Sequence, residues 1–572
     1  MGTIIKKKIK KYHYYYFVES KRIDGKPRIV NQVYLGTADS IKDRLEALDS
    51  KKKPLYSIVV DFADVALLFD IAARLGIVDI IDKYAAKRKQ GASVGTYTLI
   101  AAINRAVAPT SKSCIADWFK NTILSRILPV TEAALTPQNY WNHMKLSDEM
   151  ISSMDDEIVH RIINKYQIDT AKLIYDATNF YTYIDTKNPC ELAKRGHNKE
   201  KRNDLKIVGL SMMITPDCNI PLIYDTYPGN KPDSRQFTDM VEKLKTRFER
   251  LTNRTSDVTV VFDRGNNSED NICLLEDGRF PFEYVGGLKR NQCVELYTID
   301  KSEYSPLEGE LLQGCSAVRT TRTVWGRRMT VIVVFNPNLY EGQMQGVASN
   351  FEKTINKLNE LQNRLIARAE GRITKGRAPT SLSIEKQVKS YLSPEYMSEI
   401  FSYEMTTMNA VPFFTYKFHE ENLQNIQETV LGKTVLFTSR HDWSSEEIVA
   451  SYRSAWHVEH AFRQMKDKDH LSVRPLHHWT YQKIKVHVFY CVLAYRLCCV
   501  LMKELSQEKP DGYNHSLNKV LDHLSKIKHV TTILGVEKTD VLTSFTKGSE
   551  LAEFITLKYD LKTKYLPVNS VR

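Results

Sequence analysis

Residues 443–497 read WSSEEIVASYRSAWHVEHAFRQMKDKDHLSVRPLHHWTYQKIKVHVFYCVLAYRL. Ser444-Ser445-Glu446-Glu447 marks a helix start, with a hydroxyl at the N-cap and acids in the first turn. From Ile448 to Met465 apolar residues recur at spacings of three and four, as a half-buried helix requires. Tyr452, Glu459 and Lys466 fall seven residues apart. At 3.6 residues per turn, seven steps return to nearly the same face, about 10.5 Å further along. A phenol, a carboxylate and an ammonium are therefore expected on one side of one helix, with Arg463 four residues past Glu459. Charged helix faces are ordinarily solvated surface. Glu459, however, stands among Trp456, Val458 and Phe462, and basic or aromatic residues crowd it: Arg453, His457, His460, Lys468, Arg474 and Trp479.

Two acids lie upstream, each at the end of an apolar run. Leu173 to Thr178 reads as a short buried strand carrying Asp176, and Val258 to Phe262 as a strand that ends at Asp263. An acid at a strand end is commonly a turn former or helix cap. As a pair in one sheet, with Glu459, the two complete a set of three carboxylates. Oxygen donors of this kind hold Mg²⁺, with phosphate and water filling the octahedron. Two such ions about 3.5–4 Å apart suit phosphodiester chemistry.

Around this centre the order of elements is α/β. Val208 to Ile214 and Pro221 to Tyr227 are strands, Ser234 to Leu251 a helix, and Tyr284 to Leu288 a further strand after a helix from Ser268. About 200 residues separate Asp263 from Glu459, far more than one connection needs. Within them Ala317–Thr323 and Met329–Phe335 form an expected hairpin. Phe351–Glu370 reads as helix, Gly371–Thr380 as a basic turn, and Phe413–Phe418 and Thr434–Thr438 as strands. This interval is expected to be a mixed insertion domain.

The N-terminal residues carry a lysine run (Lys6 to Lys11) and two strand-like runs, Tyr12–Glu19 and Arg28–Leu35, joined by Asp24-Gly25-Lys26-Pro27, a hairpin signal. Helices are expected over Asp64–Leu75, Val78–Ala86, Thr96–Ala106, Ser113–Phe119 and Asp148–Tyr166, punctuated by Gly76 and Pro109. The expected domains are 1–50, a basic hairpin-like segment; 51–168, a helical domain and candidate DNA-end binder; 169–295, the first part of the core; 296–440, the insertion; 441–505, the closing core helices; and 506–572, a helical and polar tail.

At 572 residues the chain has room for more than one large core. A net charge of +13 favours polyanionic partners. Nine cysteines without a C-x-x-C pair argue for reduced thiols rather than a disulfide framework or structural zinc. His457-Val458-Glu459-His460 fits neither H-E-x-x-H nor its inverse, which excludes a zinc hydrolase there. The first twenty residues lack an apolar core, so no secretory leader is expected, and Lys6 stands where a myristoylation signal wants Ser or Thr. Val486–Met502, interrupted by Arg496, falls short of a spanning segment and reads as a buried helix; no membrane partner is expected.

The residues at these positions resemble the DDE transposases of bacterial and archaeal insertion sequences, in the IS-four superfamily with a Tyr-Arg-Glu-Lys signature. Tyr452, Glu459 and Lys466 match that signature in type and spacing, while its arginine position is Ala455 here, leaving Arg453 or Arg463 as substitutes. YDATNF around Asp176, GHNKEKRNDLKIVGLSMMI from Gly196, PLIYDTYPGNKPD from Pro221, VVFDRG at Asp263 and GKTVLFTS before the catalytic helix are similar to the family as well. The resemblance covers about residues 60 to 500.

The resemblance implies a multidomain α/β chain with a retroviral-integrase or ribonuclease-H-like core, a helical N-terminal region and an insertion between the second aspartate and the glutamate. It implies that Asp176, Asp263 and Glu459 are catalytic and hold two Mg²⁺ ions, with Mn²⁺ able to substitute. Water would cut at each element end, and the released 3′-hydroxyl would attack target DNA. Tyr452, Arg463 and Lys466 would bind nucleic acid, and Trp325, Trp443 or Trp456 would be available to stack on an unpaired base. The expected partners are double-stranded DNA, as terminal inverted repeats and target, and a second copy of the chain. The expected location is the cytoplasm of a prokaryote, at the nucleoid. A metal-dependent nuclease without strand transfer and a catalytically idle DNA-binding protein stand as alternatives.

Overall fold

The computed structural model describes residues 2–23, 26–49, 54–88, 91–252, 257–278, 281–507, 515–534 and 540–565. The chain divides into two compact units, one made of residues 1–67, 117–129 and 515–572, the other of 68–116 and 130–514.

The second unit is built on a nine-stranded sheet. Its strands are β1 (Lys172–Tyr181), β2 (Ile207–Ile214), β3 (Pro221–Pro228), β4 (Thr259–Phe262), β5 (Glu283–Gly287), β6 (Ser305–Pro306), β7 (Ser316–Val324), β8 (Arg327–Phe335) and β9 (Lys433–Thr438). The spatial order is β6-β7-β8-β9-β5-β4-β1-β2-β3. β1, β2 and β3 form an antiparallel meander, whereas β4 runs parallel to β1 and β5 parallel to β4. The helix Asp233–Leu251 supplies the crossover from β3 to β4 that a parallel pairing needs. Every residue of β2 and of β4 is buried, as strands covered on both faces must be.

The expected insertion domain is only partly separate. β7 and β8 do form a hairpin across Trp325-Gly326, but β8 pairs with β9, and β9 pairs with β5. The first and last parts of the interval thus extend the nine-stranded sheet that carries Asp176 and Asp263. Only the segment between them stands outside it: the long helix Pro337–Ala369, the helix Ser381–Tyr391 and the two-stranded ribbon Phe401–Met408/Val411–Phe418. Hydrogen bonding between strand edges is invisible to hydrophobic pattern, so the spacing alone could not assign β9 to the core.

The helix expected over Ile448–Met465 is two helices, α1 (Ser445–Arg453) and α2 (Trp456–Met465). Ser444 caps α1, as read from the sequence, and the structure adds a reciprocal box with Glu447. At the junction Ser454 Oγ donates to the Ser451 carbonyl at 2.5 Å, and Ser454 and Ala455 hold ψ near zero. A hydroxyl competing for backbone carbonyls favours such a break.

The apolar run near the C-terminal end of the core is α3 (Tyr481–Ser506), long and apolar enough to cross a membrane but with 94% of its apolar window buried inside the structure. It packs against β3 and against the helices Val94–Val107 and Asp148–Tyr166. Arg496, wholly buried on α3, pairs with Asp155 and donates through Nε to the Pro221 carbonyl at 2.8 Å. Most of the expected helical domain, 51–168, is thereby part of the same compact unit as the catalytic sheet.

The remaining departures fall in the first unit. Lys6–Ile9 lies in a strand, Gly2–Ile9, that pairs with Tyr12–Ile23, which in turn pairs with Lys26–Gly36. The tail expected to be helical and polar carries the helices Leu517–Leu524 and Glu550–Lys558 but also supplies Lys528–Leu534 and Asp540–Phe545, two strands of a sheet completed by Pro54–Asp61. Lys528 pairs with Asp61 in that sheet, and Phe62 packs on Phe545 with centroids 4.6 Å apart.

Candidate active site

Strands β1 and β4 are in parallel register with Tyr175 opposite Phe262, so the next residue on each line is Asp176 and Asp263. Adjacent strands lie about 4.8 Å apart, and the sheet therefore delivers two carboxylates side by side. The backbone orients each of them. The Ala177 N–H donates to Asp176 Oδ1 at 2.7 Å, and the Arg264 N–H donates to Asp263 Oδ1 at 2.7 Å.

Glu459 comes from the first turn of α2, which packs across β1 and β2. Its charge and that of Asp263 are both felt at Asp176. Burial pushes the Asp176 carboxyl up to about 6, Asp263 and Glu459 push the same way, and Lys199 and the Ala177 amide oppose them. Three like charges that raise one another's cost are a donor set that a hard cation would relieve. Among the described residues no three His, Cys, Asp or Glu side chains are already closed to metal-ligand spacing. The Oδ1 atoms of the two aspartates are engaged by the amides, and Oδ2 of each carries no hydrogen bond among the described residues. Two free carboxylate oxygens and an exposed Glu459 fit a divalent ion in chemistry and charge.

The signature residues lie on both sides of the break between α1 and α2. Tyr452, on α1, donates its hydroxyl to Asp263 Oδ1 at 2.9 Å. Burial and then the Asp263 carboxylate raise its pKa well above the ordinary phenol value, so it remains a donor at neutral pH. Lys466, at the C-terminal end of α2, donates to Thr178 Oγ1 at 2.9 Å and lies 3.8 Å from Glu200 Oε1. Burial lowers its pKa, with Lys199 and Arg474 adding to the effect and Glu200 and Asp176 opposing it. Across the interruption Tyr452 meets the second aspartate, Lys466 meets the strand of the first, and the charge of Glu459 is felt at Asp176, so all three residues act on the same pair of acids.

The two expected substitutes for the missing signature arginine behave differently. Arg453 is turned away, donating to the Leu311 carbonyl at 2.5 Å and to Cys315 Sγ at 2.9 Å. Arg463 is exposed on α2 and has no hydrogen bond or ion pair to the acids among the described residues. Glu459 itself is exposed, and neighbouring Trp456 is 53% exposed, so the apolar setting expected for this acid is absent. Trp443 carries the cations of Lys172 and Arg440 over its ring, and Trp325 packs edge-on against Phe437. Of the three tryptophans considered for base stacking, Trp456 is the exposed one.

Four residues join the site that spacing did not reveal. Lys199 donates to the Ala177 carbonyl at 2.5 Å and sits 3.6 Å from Asp233. Arg474 donates to Glu200 at 2.9 Å, to the Tyr181 hydroxyl at 2.6 Å and to the Lys466 carbonyl at 2.8 Å. With Glu200 and Thr178 they surround Asp176 and Lys466. Lys199 and Glu200 fall within the GHNKEKRND stretch, whose charge density was the only signal in the sequence. The result is an acidic centre bordered by Lys199, Lys466 and Arg474, an arrangement suited to a phosphate flanked by cations.

Residues 169–497 match the transposase DDE domain family. A similar solved structure is the "Cryo-EM structure of piggyBac transposase synaptic complex with hairpin DNA (SNHP)", 10% identical over 89% of this chain and 83% of that one, with a TM-score of 0.37. No curated protein matches the chain. The family match covers more than half of the sequence and the whole of the catalytic sheet, and the protein belongs to the transposase DDE domain family, whose work is DNA transposition.

Proposed function

We propose that the chain is an active DNA transposase of the insertion-sequence type, resembling the IS-four superfamily, that cuts at element ends and joins the freed 3′ ends to target DNA. The observation that carries this reading is the placement of Asp176 and Asp263 at neighbouring positions of two parallel strands, with the charge of Glu459 acting on Asp176.

In this reading Asp176, Asp263 and Glu459 hold two Mg²⁺ ions, or Mn²⁺ in their place. When bound, such ions lower the pKa of the attacking hydroxyl and offset charge on the leaving oxygen. The chain's own residues do the rest. Tyr452 fixes the orientation of Asp263, while Lys199, Lys466 and Arg474 take the phosphates on either side of the scissile bond. Hydrolysis leaves a 3′-hydroxyl and a 5′-phosphate, and the 3′-hydroxyl then displaces a 3′-oxygen in the target strand. The paired ends call for two copies of the chain, and the setting we propose is the nucleoid of a prokaryotic cytoplasm.

The test is cleavage and joining of labelled DNA carrying the inverted repeats that flank the gene, with Mg²⁺, comparing wild type with Glu459→Gln. Nicking at the repeat boundary that needs metal and Glu459, with joined product, is the expected result. Cleavage without joining would reduce the protein to a nuclease. Binding without cleavage in either chain would identify an idle DNA-binding protein and overturn the reading.

A further inference from the structure

Apart from the carboxylates, the second unit contains a cavity of about 620 Å³ between the end of the helix Val94–Val107, the helix Pro137–His143 and the segment 475–479. Its size is that of a small-molecule site. Its chemistry is one-sided. Arg105, Lys112, His478 and His487 line it, and no Asp or Glu is among its described lining residues.

The cations are poorly compensated. Arg105 is 1% exposed and donates to the Ser472 and Arg474 carbonyls at 3.3 and 3.2 Å and to Asn104 Oδ1 at 3.5 Å; among the described residues it has no carboxylate partner and its Nε is unpartnered. His487, 2% exposed, is bonded through Nε2 to the Val473 carbonyl at 2.7 Å and leaves Nδ1 unpartnered. Lys112 rests over the rings of Tyr490 and Tyr140 at 5.5 and 5.9 Å. Burial, followed by the Arg105 charge, brings Lys112 down to about 7, and burial followed by Lys112 and Arg105 holds His478 at about 3. The two histidines are therefore neutral at pH 7, and Arg105 and Lys112 are the cations of the cavity; a bound anion offsets the cost of burying them.

The opposite wall is aromatic. Trp141 and Trp479 stack with centroids 4.6 Å apart and planes 26° apart. Lys483 braces Trp141, lying 4.9 Å from its ring and donating to its carbonyl at 2.5 Å, while Trp479 is 52% exposed. A small inorganic anion would leave this wall and most of the volume unused. Among the described residues no three His, Cys, Asp or Glu side chains are spaced to hold a metal ion here, and an apolar ligand would leave the buried donors unmet.

We propose that the cavity is a nucleotide pocket, in which Arg105 and Lys112 take a phosphate and the Trp141–Trp479 wall takes the attached base. Stacking on an aromatic face is tolerant of base identity, so the site recognises phosphate plus ring. A free mononucleotide and an unpaired nucleotide of a DNA strand both present that chemistry. Arg474, which belongs to the acidic site, immediately precedes the pocket segment, and His477 stacks on Tyr183 with centroids 5.2 Å apart. The inference does not rest on the metal reading.

The test is calorimetric titration of the full chain with dAMP, adenosine, inorganic phosphate and a short single-stranded oligonucleotide. Saturable binding of dAMP or of the oligonucleotide is expected, with adenosine and phosphate each at least tenfold weaker. Lys112→Gln and Trp479→Ala should each weaken binding tenfold or more while keeping the wild-type melting temperature. Trp479 is exposed, so its replacement keeps the test open if Lys112→Gln fails to fold. Binding of dAMP assigns the pocket to free nucleotides, and binding of the oligonucleotide alone assigns it to DNA. The inference is overturned if neither binds, if phosphate binds as tightly as dAMP, or if folded Trp479→Ala binds like wild type. Glu459→Gln is expected to bind normally, which separates failure of the pocket from failure of the acidic site.

Discussion

The Tyr452 hydroxyl donates a 2.9 Å hydrogen bond to Asp263 Oδ1, tying the last turn of α1 to the end of β4 across 189 residues of sequence. The same oxygen accepts the Arg264 N–H, so Asp263 is held from its own backbone and from the catalytic helix pair together. Groups that orient a metal-binding carboxylate commonly matter by one to two orders of magnitude in affinity or rate.

Tyr452→Phe removes that donor and little else. We expect DNA cleavage to fall about 10–100-fold, with the Mg²⁺ concentration for half-maximal activity raised. The melting temperature should shift by no more than a few degrees. A cleavage rate equal to wild type would show that the Arg264 amide suffices to orient Asp263.

Gly287, at the end of β5, lies directly beneath this contact. A Cβ placed there would stand 2.8 Å from the Tyr452 hydroxyl oxygen and 3.2 Å from Arg264 Cβ. Gly287→Ala should therefore dislodge Tyr452 and reproduce the Tyr452→Phe defect. Since both changes break one interaction, the double variant should be no more than about twofold worse than the poorer single one. Multiplied defects in a double-mutant cycle would place Gly287 in some other role.

The raised pKa of Asp176 sets a pH dependence for the metal-free protein. A carboxyl at about 6 when folded, against an ordinary value of 3.8, binds its proton more tightly in the folded state. Its contribution to stability is greatest below about pH 4, declines as pH rises through about 6, and is constant above that. The loss is at most about 3 kcal/mol. In EDTA, Asp176→Asn should melt higher than wild type at pH 7–8 and lose part of the slope between pH 4 and 6. Mg²⁺ should raise the wild-type melting temperature above pH 6 and leave Asp176→Asn nearly unmoved. A parallel pH profile for the two chains would contradict the assignment.

The buried ion cluster behind the sheet makes a separate forecast. Asp155 is shared by Arg496 and Arg247, the latter at 3.0 Å, and all three are buried. Asp155→Ala leaves Arg496 without a charge partner and should cost about 3–5 kcal/mol in urea unfolding. Arg496→Met leaves Asp155 paired with Arg247 and should cost clearly less. Equal costs would mean that Arg247 does not compensate Asp155.

The sequence by itself determined the local elements and the identity of the acids. Apolar alternation and runs located β1 to β5, and the hydroxyl and acids of Ser444–Glu447 located the start of α1, because these signals are written in neighbouring residues. Asp176, Asp263 and Glu459 were legible as acids at strand ends and on a helix. Tertiary structure alone decided that β7 to β9 extend the catalytic sheet, since edge pairing depends on which backbones meet and leaves no periodicity. It also decided that residues near 54–61 and 528–545 form one sheet. Tertiary structure also brings Tyr452 to Asp263 and Lys466 to Thr178, contacts between residues far apart in the sequence. Lys199, Glu200 and Arg474 enter the site by the same route. Their partners lie far along the chain, and only the folding of the sheet brings those charges within hydrogen-bond distance.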